Sequence, residues 1–278
     1  FCIIKTYGNR VDDMIVREKS AMKIAFGENP KNCYKEKGVY SRMSVAAKLR
    51  EVLQKTIIYD KKLREAGCET SWNEINRGSG EGQVDISKMP AYDAKLEAML
   101  PVIRGEIPLK AHAHRADDIC TAIRIAKEFG IKMTMDHCSE GHLVAEELAK
   151  EGFQAIVGPD LTSRNKIEVQ NMSFKTAGVL NRAGVMIAIT TDHPVSQIQT
   201  LPLCAGLAVK AGLPMEEGFR AITIYPAKIC GVADRIGSLE VGKDADIAIF
   251  DGNPMEIFTR TLYTIINGEI VYCNVPRE

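Results

Sequence analysis

The stretch Leu-Lys-Ala-His-Ala-His at residues 109–114 has a strand pattern that closes on two histidines and runs into a helical pattern over residues 117–129. The alternation repeats downstream, with strand patterns at residues 132–137, 154–157 and 185–190 and helical patterns between them. Strands joined by helices of this length specify a parallel sheet with right-handed crossovers. The sequence therefore predicts an α/β fold built from β-α units.

The upstream part predicts fewer units of this kind. Residues 21–26 form a strand pattern, and Ser41 caps a long helical pattern over residues 42–66. A polar, Gly/Ser-rich loop over residues 69–85 and a helix over residues 93–104 follow. A further strand pattern lies at residues 1–7. Together with the strand patterns already named, it gives about six strands that could belong to a β/α barrel.

Composition narrows the class of protein. Lys+Arg and Asp+Glu number 36 each, so no net charge attracts nucleic acid or an anionic membrane surface. No apolar run is long enough to span a bilayer. The eight cysteines lack CxxC spacing and read as reduced thiols, which predicts a cytoplasmic protein. The chain begins with Phe1 inside a strand pattern, so we expect that an N-terminal portion has been lost.

Three polar positions lie where strand patterns end. His112 and His137 are about one β-α unit apart, and Asp192 follows about two units later. In a (β/α) barrel the ends of the strands meet at one rim, so these side chains converge. Imidazoles and a carboxylate at one rim suggest a metal site that activates water. The chain is therefore predicted to be a metal-dependent hydrolase.

Each of these residues also has a common structural role. His112 and His114 lie two apart on one strand face, where one of them could simply hydrogen-bond within a loop; we favour His112 as the metal ligand and His114 as a substrate contact. Asp192 could cap a helix, but it could also bind the metal or carry the proton to a leaving amine. His193 could hydrogen-bond the substrate or the oxyanion.

A middle-strand ligand has two candidates. Lys23 lies mid-strand among apolar residues, where an ammonium group is costly unless it reaches solvent or is modified. Carboxylated by CO2, it would present two oxygens and could bridge two metals. Glu28, just beyond the same strand, offers the alternative carboxylate. The sequence does not separate the two.

The last forty residues change character. Strand patterns at residues 247–250, 262–266 and 269–272 are short, and the last two are joined by Asn267-Gly268, a strong hairpin signal. We therefore divide the chain into a barrel portion at residues 1–235 and a small β-sandwich portion at residues 236–278.

Several of these stretches together resemble the amidohydrolase superfamily, and within it the imidazolonepropionase-like branch. The most specific is Arg-Ile-Gly-Ser-Leu-Glu-Val-Gly-Lys-Asp-Ala-Asp-Ile at residues 235–247. The others are residues 110–114, 136–137, 191–194 and 221–228. The resemblance implies a TIM-type (β/α)8 barrel with one or two divalent ions, usually Zn2+, at its C-terminal rim. It matches His112, His137 and Asp192 to the ligands on the fifth, sixth and eighth strands, and Lys23 to the carboxylated lysine.

The chain departs from the family pattern in one respect. No His-x-His precedes His112, so the first-strand ligands are absent from this sequence. The chain looks like the C-terminal two-thirds of an amidohydrolase, and its barrel is expected to be incomplete at the N-terminus. Because unpaired strand edges recruit partners, we expect completion by an N-terminal fragment or by homo-oligomerisation.

The reaction expected from the resemblance is hydrolysis of a C–N bond in an amide or cyclic amide of a small-molecule substrate. Two alternatives stay open: a deaminase on the same scaffold, and an amidohydrolase-like scaffold protein that has lost catalysis. The substrate itself is not readable from the sequence, because it depends on rim loops that the fold does not determine.

Overall fold

The structure, a computed structural model, describes residues 1–76, 78 and 84–275. The described strands form a two-stranded antiparallel sheet, a five-stranded parallel sheet and a three-stranded antiparallel sheet. In chain order the strands are β1 Ile3–Ile4, β2 Ile15–Arg17, β3 Met22–Ala25, β4 Leu109–Ala113, β5 Met133–His137, β6 Gln154–Val157, β7 Ile187–Ile189, β8 Ile247–Phe250, β9 Thr261–Ile266 and β10 Glu269–Cys273.

Helices lie between consecutive strands of the parallel sheet, and others lie before and after this sheet in the chain. They are α1 Val11–Met14, α2 Glu28–Cys33, α3 Arg42–Glu65, α4 Trp72–Asn76, α5 Ala94–Ile103, α6 Ala116–Phe129, α7 Ala145–Lys150, α8 Lys175–Arg182, α9 Leu201–Lys210, α10 Met215–Arg220 and α11 Ile224–Ile229. The α3 helix begins where the sequence predicts, because Ser41 and Ser44 form a reciprocal capping box. Across the residues described, none of the helices has the length and apolar character needed to cross a membrane.

The parallel sheet, in the order β3-β4-β5-β6-β7, confirms the predicted α/β class and forms part of a (β/α)8 barrel. One face, with Ala111, Met135 and Val157, is buried in the main core together with apolar residues of α6 and α8. The register pairs Lys23 with Lys110 and His112 with Asp136, which places these polar residues on the opposite, barrel-interior face.

Two details of the upstream part differ from expectation. The strand at residues 1–7 is not a barrel strand, so the parallel sheet has five strands among the described residues rather than six. Residues 3–4 instead pair antiparallel with residues 15–17, because the intervening segment is too short for the crossover that a parallel pair needs. The expected loop at residues 69–85 contains α4; the remainder of its Gly/Ser-rich part, residues 77 and 79–83, lies outside the described residues.

The C-terminal strands confirm the sequence pattern. Asn267 and Gly268 both have positive φ, 54° and 83°, as a two-residue type I′ turn between β9 and β10 requires. The β8 strand pairs with β9 to complete the sheet. A domain boundary at residue 236 stays a prediction.

Lys5 joins the first residues to the C-terminal sheet. Its buried ammonium group contacts Asp244 at 2.8 Å and Asp246 at 2.7 Å, and donates to Asn267 Oδ1 at 2.6 Å. This cluster lies beside the β9–β10 turn. The β1 strand therefore attaches to the C-terminal part of the chain through one cation.

Replacement of Lys5 by methionine is expected to lower the free energy of unfolding by about 2–4 kcal/mol. The change leaves two carboxylates facing each other without their shared cation. Urea denaturation followed by circular dichroism measures the effect. Arg10→Met is the control, because the Arg10–Asp12 pair is exposed on both sides and contributes little. Equal midpoints for both variants would contradict the assigned role of Lys5.

Candidate metal centre

Two neighbouring strands bring the first two histidines to one rim. His112 is the penultimate residue of β4 and His137 is the last residue of β5. Regular alternation would pair His137 with Ala113 and turn it toward the helices. Its φ of 77° interrupts the extended geometry, and the rings of His112 and His137 lie 4.4 Å apart between centroids. A strained backbone at the strand end thus places His137 at the rim.

His114 completes a group of three imidazoles. Its ring centroid lies 4.6 Å from that of His112 and 4.8 Å from that of His137. All three side chains are buried, and each offers a nitrogen within 4.8 Å of the others. His114 was predicted to contact the substrate, and the structure brings it into the same group as His112 and His137.

Hydrogen bonds orient two of these rings. His137 Nδ1 lies 2.7 Å from the Gly158 carbonyl oxygen, which can only accept, so Nδ1 carries the proton and Nε2 has a free lone pair. His114 Nδ1 lies 2.7 Å from Ser139 Oγ, a hydroxyl that can donate or accept, so this contact orients the ring of His114 for either tautomer. Histidines that bind metals are commonly held in this way through the second ring nitrogen.

The protonation states of His114 and His137 favour the binding of a cation. Burial, followed by the neighbouring His137 and His112, lowers the pKa of His114 to about 3. Burial and the neighbouring His112 likewise lower the pKa of His137 to about 4. Both imidazoles are therefore neutral near pH 7, the state in which they bind a metal ion.

The spacing also fits an ion closely. Two nitrogens bound to one Zn2+ at about 2.1 Å can be at most about 4.2 Å apart. The nitrogens of the group, within 4.8 Å of one another, reach that separation through small side-chain rotations. Imidazole suits zinc and several other divalent transition metals, so the residues present fit a divalent ion.

Glu168 lies beside this group and was missed by the sequence analysis. It occupies a 3-10 turn, Ile167–Val169, in the long segment between β6 and α8, and its side chain is 1% exposed. The only signal in the sequence was that the segment follows a strand at the same rim. Burial raises the pKa of Glu168, but His112 and the backbone N–H of Glu28 outweigh burial and lower the pKa to about 2.

The residues predicted after the last barrel strand lie at the edge of the group. Asp192 follows β7 with a φ of 48° and is exposed. Its negative charge acts to raise the pKa of His137, and the carboxylate is not part of the three-imidazole group. His193 is also exposed. The roles assigned to both residues stay predictions.

Both middle-strand candidates pair with other charged side chains in the structure. Lys23 pairs in register with Lys110, two residues before His112, and its ammonium group lies 3.2 Å from Asp136 Oδ2. The Glu28 carboxylate accepts from Lys31 at 2.9 Å. The roles of Lys23 and Glu28 as metal ligands stay predictions.

A comparison of the sequence with models of known protein families shows the family to which the chain belongs. Residues 90–274 match the model of the amidohydrolase family, which is more than half of the chain. The chain belongs to the amidohydrolase family. The resemblance drawn from the short motifs is thereby confirmed, as is the fold class.

Individual amidohydrolase relatives agree with this assignment. A crystal structure of an amidohydrolase from Thermotoga maritima MSB8 is similar at a TM-score of 0.86 and 35% identity, over 98% of this chain and 68% of that one. The imidazolonepropionase of Fusobacterium nucleatum is 27% identical over 65% of this chain and 52% of its own length. A 5-methylthioadenosine/S-adenosylhomocysteine deaminase of Teredinibacter turnerae is 24% identical over 63% of this chain and 42% of its own. The chain thus spans about half or less of these two curated relatives.

Proposed function

We propose that the chain carries the metal centre of a hydrolase that cleaves a C–N bond in an amide or cyclic amide. The observation that carries the proposal is the buried group of His112, His114 and His137 at the carboxyl end of the parallel sheet. Catalytic residues of (β/α) barrels lie at this rim. Three buried imidazoles with nitrogens within 4.8 Å of one another form a donor set that suits a divalent metal ion.

The three histidines would hold one divalent ion, with Zn2+ as the first candidate. The bound ion would supply Lewis-acid activation of water and of the substrate carbonyl. Gly158 and Ser139 fix the orientation of His137 and His114, so the metal-facing nitrogens need little reorganisation. Lys23 or Glu28 would contribute only if a second ion extends the site toward the middle strand.

Proton transfer falls to the loop after β7. Asp192 follows β7 at an exposed position, where its carboxylate would accept a proton from water and deliver it to the leaving amine. His193, next in the chain, would donate a hydrogen bond to the oxyanion. In this arrangement the three metal-binding histidines are buried, and Asp192 and His193 are accessible to a small-molecule substrate.

A deaminase is the second candidate, favoured by the deaminase relative of Teredinibacter turnerae. Both reactions add water at a carbon and expel nitrogen, so the same histidines and Asp192 serve either one. The released product separates them. Ammonia released without a new carboxylic acid marks a deaminase acting on an exocyclic amine, and a new carboxylic acid marks an amide hydrolase.

Metal analysis and a substrate survey test the proposal together. Protein purified and dialysed against Zn2+ is expected to retain about one ion per chain. The zinc-loaded protein is then screened on amides, cyclic amides and aminated heterocycles, with product acids and ammonia measured separately. If the protein retains no metal at micromolar Zn2+, both enzyme proposals fail and a scaffold protein without catalysis remains.

A further inference from the structure

We infer that Glu168 is the fourth protein ligand of the metal centre, so that the chain holds the ion in a three-histidine, one-carboxylate site. This inference rests on the proposed function of the three histidines. It starts from Glu168 Oε1, which is buried and has no hydrogen-bond partner in the described part of the chain. A buried charged oxygen without a partner is costly, so its position calls for a ligand.

The free oxygen points toward the imidazoles. Glu168 Oε1 lies 3.7 Å from His112 Nε2 and 4.0 Å from His114 Nε2. Neighbouring donors around a tetrahedral Zn2+, with bonds of about 2.0–2.1 Å, are about 3.3–3.4 Å apart. The observed separations are a few tenths of an ångström larger, which is the arrangement expected of a site whose ligands draw in around an ion.

The other oxygen is held by the scaffold. Glu168 Oε2 accepts a hydrogen bond from the backbone N–H of Glu28 at 2.7 Å. One oxygen fixed by the backbone and one left free is how a single-oxygen carboxylate ligand is positioned. This hydrogen bond ties the loop between β6 and α8 to the segment just after β3. It also holds the Glu168 side chain in a fixed position beside the histidines.

Gly27 makes room for this arrangement. A Cβ atom at position 27 would lie 2.4 Å from Glu168 Oε2, and the residue has a φ of 76°. A side chain there would be strained and would also push the carboxylate away from the Glu28 N–H. Glycine at the end of β3 thus serves the position of Glu168 as well as the turn into α2.

A structural ion pair explains the carboxylate less well. The nearest lysine nitrogen, that of Lys166, is 3.8 Å from Oε1, beyond hydrogen-bond distance, and instead donates to Asn29 Oδ1 at 2.7 Å. The Lys166 side chain is also 41% exposed, so water can satisfy it. A bound cation would neutralise the carboxylate that Lys166 leaves unpaired.

Titration of the metal-free full chain with Co2+ tests the assignment without reference to activity. Glu168→Gln keeps the side-chain volume and the Glu28 contact but removes the charge. It is expected to weaken Co2+ binding at least about tenfold and to change the visible absorption of the bound ion. Glu168→Asp keeps the charge with a shorter reach and is expected to bind between wild type and Glu168→Gln.

Glu140→Gln is the matched control. Its carboxylate accepts from the Ala116 N–H at 2.8 Å and from Asn171 at 2.7 Å, so it loses the same kind of contacts without facing the imidazoles. Its Co2+ affinity is expected to stay within about twofold of wild type. Circular dichroism of each metal-free variant reports folding, and the Glu168→Asp result decides the matter if Glu168→Gln is misfolded.

The outcomes separate this inference from the proposed function. Wild-type affinity in both Glu168 variants, together with loss of binding in His112→Ala, would overturn the role of Glu168 and leave the histidine site intact. A loss of affinity in Glu28→Gln with none in Glu168→Gln would move the fourth ligand to Glu28. A wild-type chain that binds no Co2+ would instead refute the metal centre itself.

Discussion

Replacement of His137 by alanine is expected to weaken divalent-metal binding by about a thousandfold or more and to leave the purified protein nearly free of zinc. His137 supplies one of three imidazoles, and its Nε2 is directed by the hydrogen bond from Nδ1 to the Gly158 carbonyl. Loss of one of three or four donors leaves an incomplete set, which structural and catalytic zinc sites do not tolerate. Competition with a chromophoric chelator measures the affinity, and elemental analysis measures the content.

His142→Ala is the control for this change. His142 lies five residues further along the chain and contacts Thr176 Oγ1 at 3.1 Å, outside the three-imidazole group. Its replacement removes an imidazole and a hydrogen bond but none of the nitrogens that would bind the metal ion. Because alanine at position 137 also leaves a cavity in a buried region, His137→Gln is measured beside it to separate loss of the donor from loss of packing. Stoichiometric zinc in both His137 variants would contradict the site.

Asp192→Asn is expected to lower the turnover number by about a hundred- to ten-thousandfold, the range of general acid–base catalysis, while zinc content stays near that of wild type. The carboxylate is exposed and lies outside the three-imidazole group, yet its charge reaches His137. The amide has nearly the same shape but cannot accept and release a proton at neutral pH. The turnover number and the zinc content of the same preparation are measured with the best substrate from the survey.

Zinc content and turnover number, measured together, distinguish the two roles predicted for Asp192. Zinc lost together with turnover would make Asp192 a metal ligand, the other role that the sequence leaves open. Unchanged turnover would exclude both roles. Asp234→Asn, a change at an exposed aspartate far along the chain, controls for the loss of one surface charge.

Local signals in the sequence account for most of the fold. The Ser41 cap starts α3 at the predicted residue, and Asn267-Gly268 forms the predicted turn, because both depend on atoms within a few residues of each other. The parallel order β3 to β7 follows from strands alternating with helices, since each crossover places the next strand beside the last. These features need no knowledge of distant parts of the chain.

The placement of His112 and His137 at one rim was also predictable, because neighbouring strands of a parallel sheet end at the same edge. The contact between their rings was not, since it depends on the positive φ of His137. The same rule brought Asp192 to that rim without deciding whether its carboxylate touches the metal. Sequence spacing specifies an edge of the sheet, and side-chain direction decides the contacts.

Patterns in the sequence were enough to indicate the family, the β-α order, the C-terminal hairpin and the pair of strand-end histidines, because each is encoded in residues near one another or in a repeat. The inclusion of His114, the approach of Glu168 and the pairing of Lys23 with Asp136 became visible only in the folded chain. Those contacts depend on a positive φ at His137, on the space left by Gly27 and on loop paths between distant segments. Ångström-scale distances between segments far apart in the chain arise only when the whole sheet is packed, and short-range patterns carry no measure of them.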